Sequence, residues 1–167
     1  YEMKLCRHNY QFRGDWQTLV DCGGGQLNNW GPHLVDQALR LLESPVESLW
    51  SDLKNVAALG GAEDHLKLVF RGRNGRVVDV EISGGVALSS PVYAIYGTRG
   101  SLVSDDEQDI RLRYLDPAFE GPARGTANPG TPSMGGGFGG DVAPKWIRKT
   151  IMVEPANGAN MNAIYHA

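Results

Sequence analysis

His33 is the residue in this sequence best suited to moving a proton near neutral pH. An imidazole has an unperturbed pKa of ~6.5, and general acid–base chemistry needs a group that changes state in that range. Asp36 follows one helical turn later, where its carboxylate could orient the His33 ring or pair with Arg40. The other histidines, His8, His65 and His166, are scattered without the spacing of metal ligands. The sequence has no G-x-S-x-G elbow, no paired-cysteine motif and no convincing carboxylate pair, so hydrolase chemistry has no support.

A helix must carry His33. From Leu34 the pattern repeats at helical period: Leu34, Val35, Ala38, Leu39, Leu41 and Leu42 fall on one arc, and His33, Asp36, Gln37 and Arg40 on the other. Gly23, Gly24 and Gly25 precede it and let a backbone pass close to another element. Two helix starts are open. If Pro32 takes the first helical position, Gly31 caps and Asn29 lies outside. If the helix begins near Asn28, Asn29 and His33 stand one turn apart on one face, and Pro32 costs one early hydrogen bond that the first turn tolerates.

The 167 residues are 41% hydrophobic and 21% charged, the proportions of one globular domain with a real core. A net charge of −3 with scattered cations offers no basic stripe for nucleic acid. The densest cationic group, Lys145, Arg148 and Lys149, reads as solvated surface. Cys6 and Cys22 read as unpaired thiols of a reducing compartment. No apolar run spans a membrane and no signal peptide is visible, which gives a cytoplasmic expectation. The chain starts inside an apparent strand and ends on what reads as the first turns of a helix, Met161 to Ala167, so it reads as an excised piece of a longer protein.

Strands surround the helix. Residues 1–10 alternate, with Tyr1, Met3 and Leu5 on one face and Glu2, Lys4 and Cys6 on the other. Asp15 can cap a short helix through about Cys22, and Ser44-Pro45 ends the main one. Strands are then expected over 46–56, 65–71, 77–82, 92–96, 102–103 and 110–115, with Asn74-Gly75 as a tight hairpin. The fold class is α+β: an open, mostly antiparallel sheet of about six or seven strands, with helices on one face. The other face, which would carry Val69, Val77 and Tyr93, is left available for self-association. Residues 117–140 are rich in Pro and Gly and read as a long loop. Gly135, Gly137 and Gly140 formally match G-x-G-x-x-G, but neither a strand before nor a helix after gives the match its dinucleotide context.

The segment Gly23-Gly-Gly-Gln-Leu-Asn-Asn-Trp-Gly-Pro-His-Leu-Val-Asp36 resembles the G-G-G-x-L-x-D-x-G-x-H-x-x-D motif of the glucose–fructose oxidoreductase and inositol dehydrogenase (Gfo/Idh/MocA) family. Gly97-Thr-Arg-Gly-Ser-Leu102 is similar to that family's G-T-x-G-x-L turn. The resemblance runs over about residues 1–115 and implies the family's C-terminal domain over 1–167, with the Rossmann domain absent. It implies a parent enzyme that oxidises or reduces a sugar, inositol or related polyol with NAD or NADP. The cofactor would be held mainly by the missing domain, none is expected for this chain alone, and this chain alone should not turn over. It also implies homo-oligomerisation through the sheet.

By the same match His33 takes the place of the family's catalytic-site histidine. Asn29 stands where many members carry an aspartate, which favours the helix start that includes it. An asparagine could hold a hydroxyl but could not act as a base. Asn9, Arg13, Trp16, Trp30 and Asp36 are the remaining substrate-binding candidates, with a sugar ring able to stack on either indole. The alternative from another class is a non-catalytic self-association or sugar-binding module.

Overall fold

A computed structural model describes residues 1–123, 130 and 142–154. Eight strands form one sheet: β1 (Glu2–His8), β2 (Val46–Lys54), β3 (His65–Gly72), β4 (Val77–Ser83), β5 (Tyr93–Gly97), β6 (Gly100–Ser104), β7 (Asp109–Leu115) and β8 (Trp146–Met152). Their order is β2-β3-β4-β1-β5-β6-β7-β8. Every neighbouring pair is antiparallel except β1 with β4, which run parallel with Leu5 opposite Val80. The first strand therefore lies mid-sheet, between two antiparallel meanders. Eight strands exceed the expected six or seven because the cationic stretch around Lys149 pairs with β7 as β8.

One α-helix, α1 (Gly31–Leu42), packs on β3 and β4. Leu34, Ala38 and Leu42 are buried against Leu66, Leu68 and Phe70 of β3, Val78, Val80 and Ile82 of β4, and Met3 and Leu5 of β1. These are the apolar positions of the helical and alternating patterns, so burial of one stripe and one sheet face makes the core. The expected second helix is instead two short 3₁₀ turns, Trp16–Thr18 and Val20–Cys22, the first capped by Asp15, whose carboxylate accepts the Gln17 N–H at 2.9 Å. Tyr93, expected on the far face, stands opposite Leu5 and packs on the α1 side.

The end of α1 is tied to the β3–β4 hairpin. Asn74 donates its side-chain amide to the Leu42 carbonyl at 2.9 Å, and Arg76 reaches the Leu41 carbonyl and the Glu43 carboxylate. These contacts satisfy carbonyls that a helix end leaves open. Gly75 sits at φ +79°, the left-handed conformation that such a turn requires.

Candidate functional site

The start of α1 and the end of β1 meet at one edge of the molecule. Residues 26–30 form turns, and α1 begins at Gly31 with Trp30 as its cap and Pro32 in its first turn. The helix therefore excludes Asn29, contrary to the start that the family resemblance favoured. Trp30 has helix-like angles (φ −85°, ψ −20°) but no side-chain capping bond, and the Gly31 N–H goes to Gln26 rather than into a longer helix. Gly25, at φ +109°, shows why glycines precede this corner. A Cβ there would fall within 2.5 Å of the Glu63 carboxylate, which accepts the Leu27 N–H.

His33 lies half-buried in the first turn of α1. Its ring stands edge-on to Trp30 with centroids 6.0 Å apart. Neither imidazole nitrogen has a protein partner among the described residues, so both are available to an incoming hydroxyl. Asp36 does not orient the ring. It is exposed and paired with Arg40 at 2.9 Å.

Asn29 faces another way. Its amide pairs with Gln17, Nδ2 donating to Oε1 at 3.2 Å and Oδ1 accepting from Nε2 at 3.5 Å. Arg13 donates to the same Gln17 oxygen and, through Nε, to Asp15 at 2.6 Å. That bond from Arg13 holds the Asp15 carboxyl below the usual carboxylate range.

Beside Trp30 opens a cleft of about 230 Å³ lined by Arg7, Asn9, Gln11, Arg13, Gln26 and Trp30. Its floor is the chain running on from β1, where Asn9 and Gln11 donate backbone N–H groups to Ser83 and Gly84. His8 also lines the cleft, but its Nδ1 accepts the Ser90 N–H at 3.2 Å. Its proton therefore sits on Nε2, 3.2 Å from Glu81 though poorly aligned for a hydrogen bond. The cleft thus joins Asn9, Arg13 and Trp30, with His33 against Trp30 and Asn29 lining the adjoining crevice with Arg13. Trp16 is exposed on the first 3₁₀ turn and, like Asp36, lies outside the cleft.

Arg7 and Gln26 are cleft residues that the sequence reading passed over. Arg7 is the next member of the Met3–Leu5 face, and an arginine on the core side of a strand was the available signal. Its Nη2 bonds Glu107 at 2.6 Å and the Tyr93 hydroxyl at 3.2 Å, and its guanidinium lies 5.3 Å from the Tyr93 ring centroid. Tyr93 donates to Glu107 at 2.8 Å and stands 3.1 Å from the Gln37 side chain of α1. Burial, with help from Glu107, pushes its phenol above the usual value despite Arg7.

Residues 2–103 match the model of the GFO/IDH/MocA C-terminal domain, and the chain belongs to that family of oxidoreductases. It is 30% identical over 117 residues to the uncharacterized oxidoreductase YdgJ of Escherichia coli, an alignment covering 68% of this chain and 33% of YdgJ. The chain thus spans about a third of the length of that relative. The fold matches an NAD-binding protein from Listeria innocua at TM-score 0.63 and 24% identity, over 70% of this chain and 34% of that one. It also matches an oxidoreductase from Bacillus cereus at TM-score 0.64 and 15% identity, over 99% and 54% respectively.

The described residues form no glycine-loop cradle for a dinucleotide pyrophosphate. Their one α-helix is entered from turns and a proline, not from a strand through a glycine loop whose N–H groups could cradle a pyrophosphate. The formal glycine match at Gly135, Gly137 and Gly140 lies outside the described residues. Among them no helix is long and apolar enough to cross a membrane, and no group of three or more His, Cys, Asp or Glu could hold a metal. Cys6 is buried and Cys22 exposed, and both are free thiols.

Proposed function

We propose that this chain is the substrate-binding and oligomerisation domain of an NAD(P)-dependent oxidoreductase that acts on a sugar, inositol or related polyol by hydride transfer. The observation that carries this reading is a polar cleft beside Trp30, with His33 edge-on to that indole and unpartnered among the described residues. The indole offers a ring-sized apolar face, Asn9 and Arg13 offer hydrogen bonds to hydroxyls, and His33 takes or returns the hydroxyl proton. Asn29, locked to Gln17, shapes the wall and does not titrate. Asp36 and Trp16 stand further out and would meet only an extended substrate. The nicotinamide would supply the hydride chemistry from a domain outside this chain.

The second reading, a self-association module, draws on the sheet face opposite α1. Trp50 is 55% exposed there, opposite Val69 in the β2–β3 register, and no described element crosses it. In the full enzyme the two roles are compatible.

Calorimetry with NAD and NADP on the full-length protein and on this chain tests the reading, together with turnover of a polyol panel. Binding and turnover by the full-length protein, with no binding by this chain, is the expected result. Dinucleotide binding by this chain itself would overturn it.

A further inference from the structure

We infer that the cleft beside Trp30 takes an anionic sugar, a sugar acid whose carboxylate is held between Arg7 and Arg13. The inference rests on the reading that this cleft is the substrate site. A neutral polyol presents hydroxyls that both donate and accept, so a site built for it supplies acceptors as readily as donors. This cleft has two guanidinium groups and not one carboxylate in its lining.

The acids nearby are already engaged. Glu107 accepts from Arg7 and Tyr93. Asp64 accepts three backbone N–H groups, from Val56, Ala57 and Ala58, and Glu63 accepts that of Leu27. The guanidinium groups are not exhausted. Among the described residues Arg7 Nε and Arg13 Nη1 have no protein acceptor. Arg7 can give its Nε–H to one carboxylate oxygen, and the planar Nη1 end of Arg13 can reach the other.

The charge balance favours one negative charge over two. Glu107 offsets Arg7 at 2.6 Å and Asp15 offsets Arg13 at 2.6 Å, so each guanidinium already has a carboxylate partner. With both guanidinium charges paired and spare N–H donors left over, the cleft suits a singly charged carboxylate better than a phosphate dianion. The rest of the lining suits a sugar ring. Gln26 Oε1 is buried with no partner among the described residues, and a ring hydroxyl would satisfy it. Trp30 supplies the apolar face.

The test is calorimetry on the full-length protein, loaded with nicotinamide cofactor, against several hexoses each paired with its uronic acid. One uronic acid should bind at least about tenfold tighter than its hexose, equivalent to ~1.4 kcal/mol. Arg13→Gln should bring that ratio to about one, while Arg13→Lys, which keeps the charge without the fork, should retain part of it. Because Arg7→Gln alone strands Glu107, the double variant Arg7→Gln/Glu107→Gln examines Arg7, and it too should shrink the ratio. Uronic acids bound no tighter than their hexoses would overturn the inference while leaving polyol oxidation intact. Loss of turnover on every sugar, with the binding preference kept, would overturn the oxidoreductase reading and leave an acid-selective site.

Discussion

Asn29 is paired with Gln17, not with His33. The two side-chain amides lie face to face at 3.2 and 3.5 Å, and Arg13 shares the same Gln17 oxygen. A residue held this way shapes a wall, and the proton chemistry we propose would fall to His33.

Asn29→Asp should therefore change little. Gln17 Nε2 already faces position 29 and can donate to the new carboxylate while its oxygen stays on Arg13. In the full-length protein kcat should stay within about tenfold, ~1.4 kcal/mol in barrier. A larger rise would mean that position 29 can act as the base.

The Arg7–Glu107–Tyr93 cluster joins β1, the β6–β7 turn and α1. Glu107→Gln removes the counter-charge of a partly buried guanidinium and should cost about 1.5–3 kcal/mol. Tyr93→Phe should cost about 1.5–3 kcal/mol, since its hydroxyl bonds the Glu107 carboxylate and the Arg7 guanidinium while the ring is kept. Urea unfolding midpoints, at unchanged slope, report both.

Leu34 is 1% exposed beneath His33. Leu34→Ala should cost about 2–5 kcal/mol through transfer and cavity terms. Leu88, at 91% exposure, is the control, and Leu88→Ala should stay within about 0.5 kcal/mol.

Stability should fall in acid through the sheet face opposite α1. Burial pushes the Glu81 carboxyl up, but the hydrogen bond and charge of Lys67, 2.7 Å away, outweigh it and hold the pKa below its ordinary 4.5. A carboxyl depressed in the folded state contributes stability that is full above the unfolded value and is lost as pH falls through the folded one. Unfolding free energy should therefore decline below about pH 4.5, and Glu81→Gln should flatten that decline. Lys67 is raised above 10.5, because Glu81 and Asp79 outweigh the burial that lowers it, so its contribution is lost only at strongly alkaline pH.

Much of this architecture could be read from the chain. The alternation of Leu66, Leu68 and Phe70 and of Val78, Val80 and Ile82 places two central strands, and Asn74-Gly75 joins them as expected. Other elements were hidden for physical reasons. β8 carries Arg148, Lys149 and Thr150 on an exposed edge, so its pattern is that of solvated surface, and only pairing with β7 makes it a strand. The helix start was ambiguous because the turn at Trp30 has helix-like angles, and spacing cannot separate that from a first helical turn. Tyr93 was misplaced because its face depends on being opposite Leu5, a long-range register. Of the candidates that residue types singled out, Asn9, Arg13 and Trp30 line the cleft, whereas Arg7 and Gln26 join them only once β1 lies beside β4.

The most direct test of the central claim is steady-state turnover by the full-length protein with and without the His33 imidazole. His33→Ala should lower kcat roughly a hundred- to ten-thousand-fold. Its unfolding midpoint should move little, because the ring is half-buried and makes no hydrogen bond or ion pair among the described residues. An unchanged kcat in a well-folded variant would contradict the account and remove His33 from the chemistry.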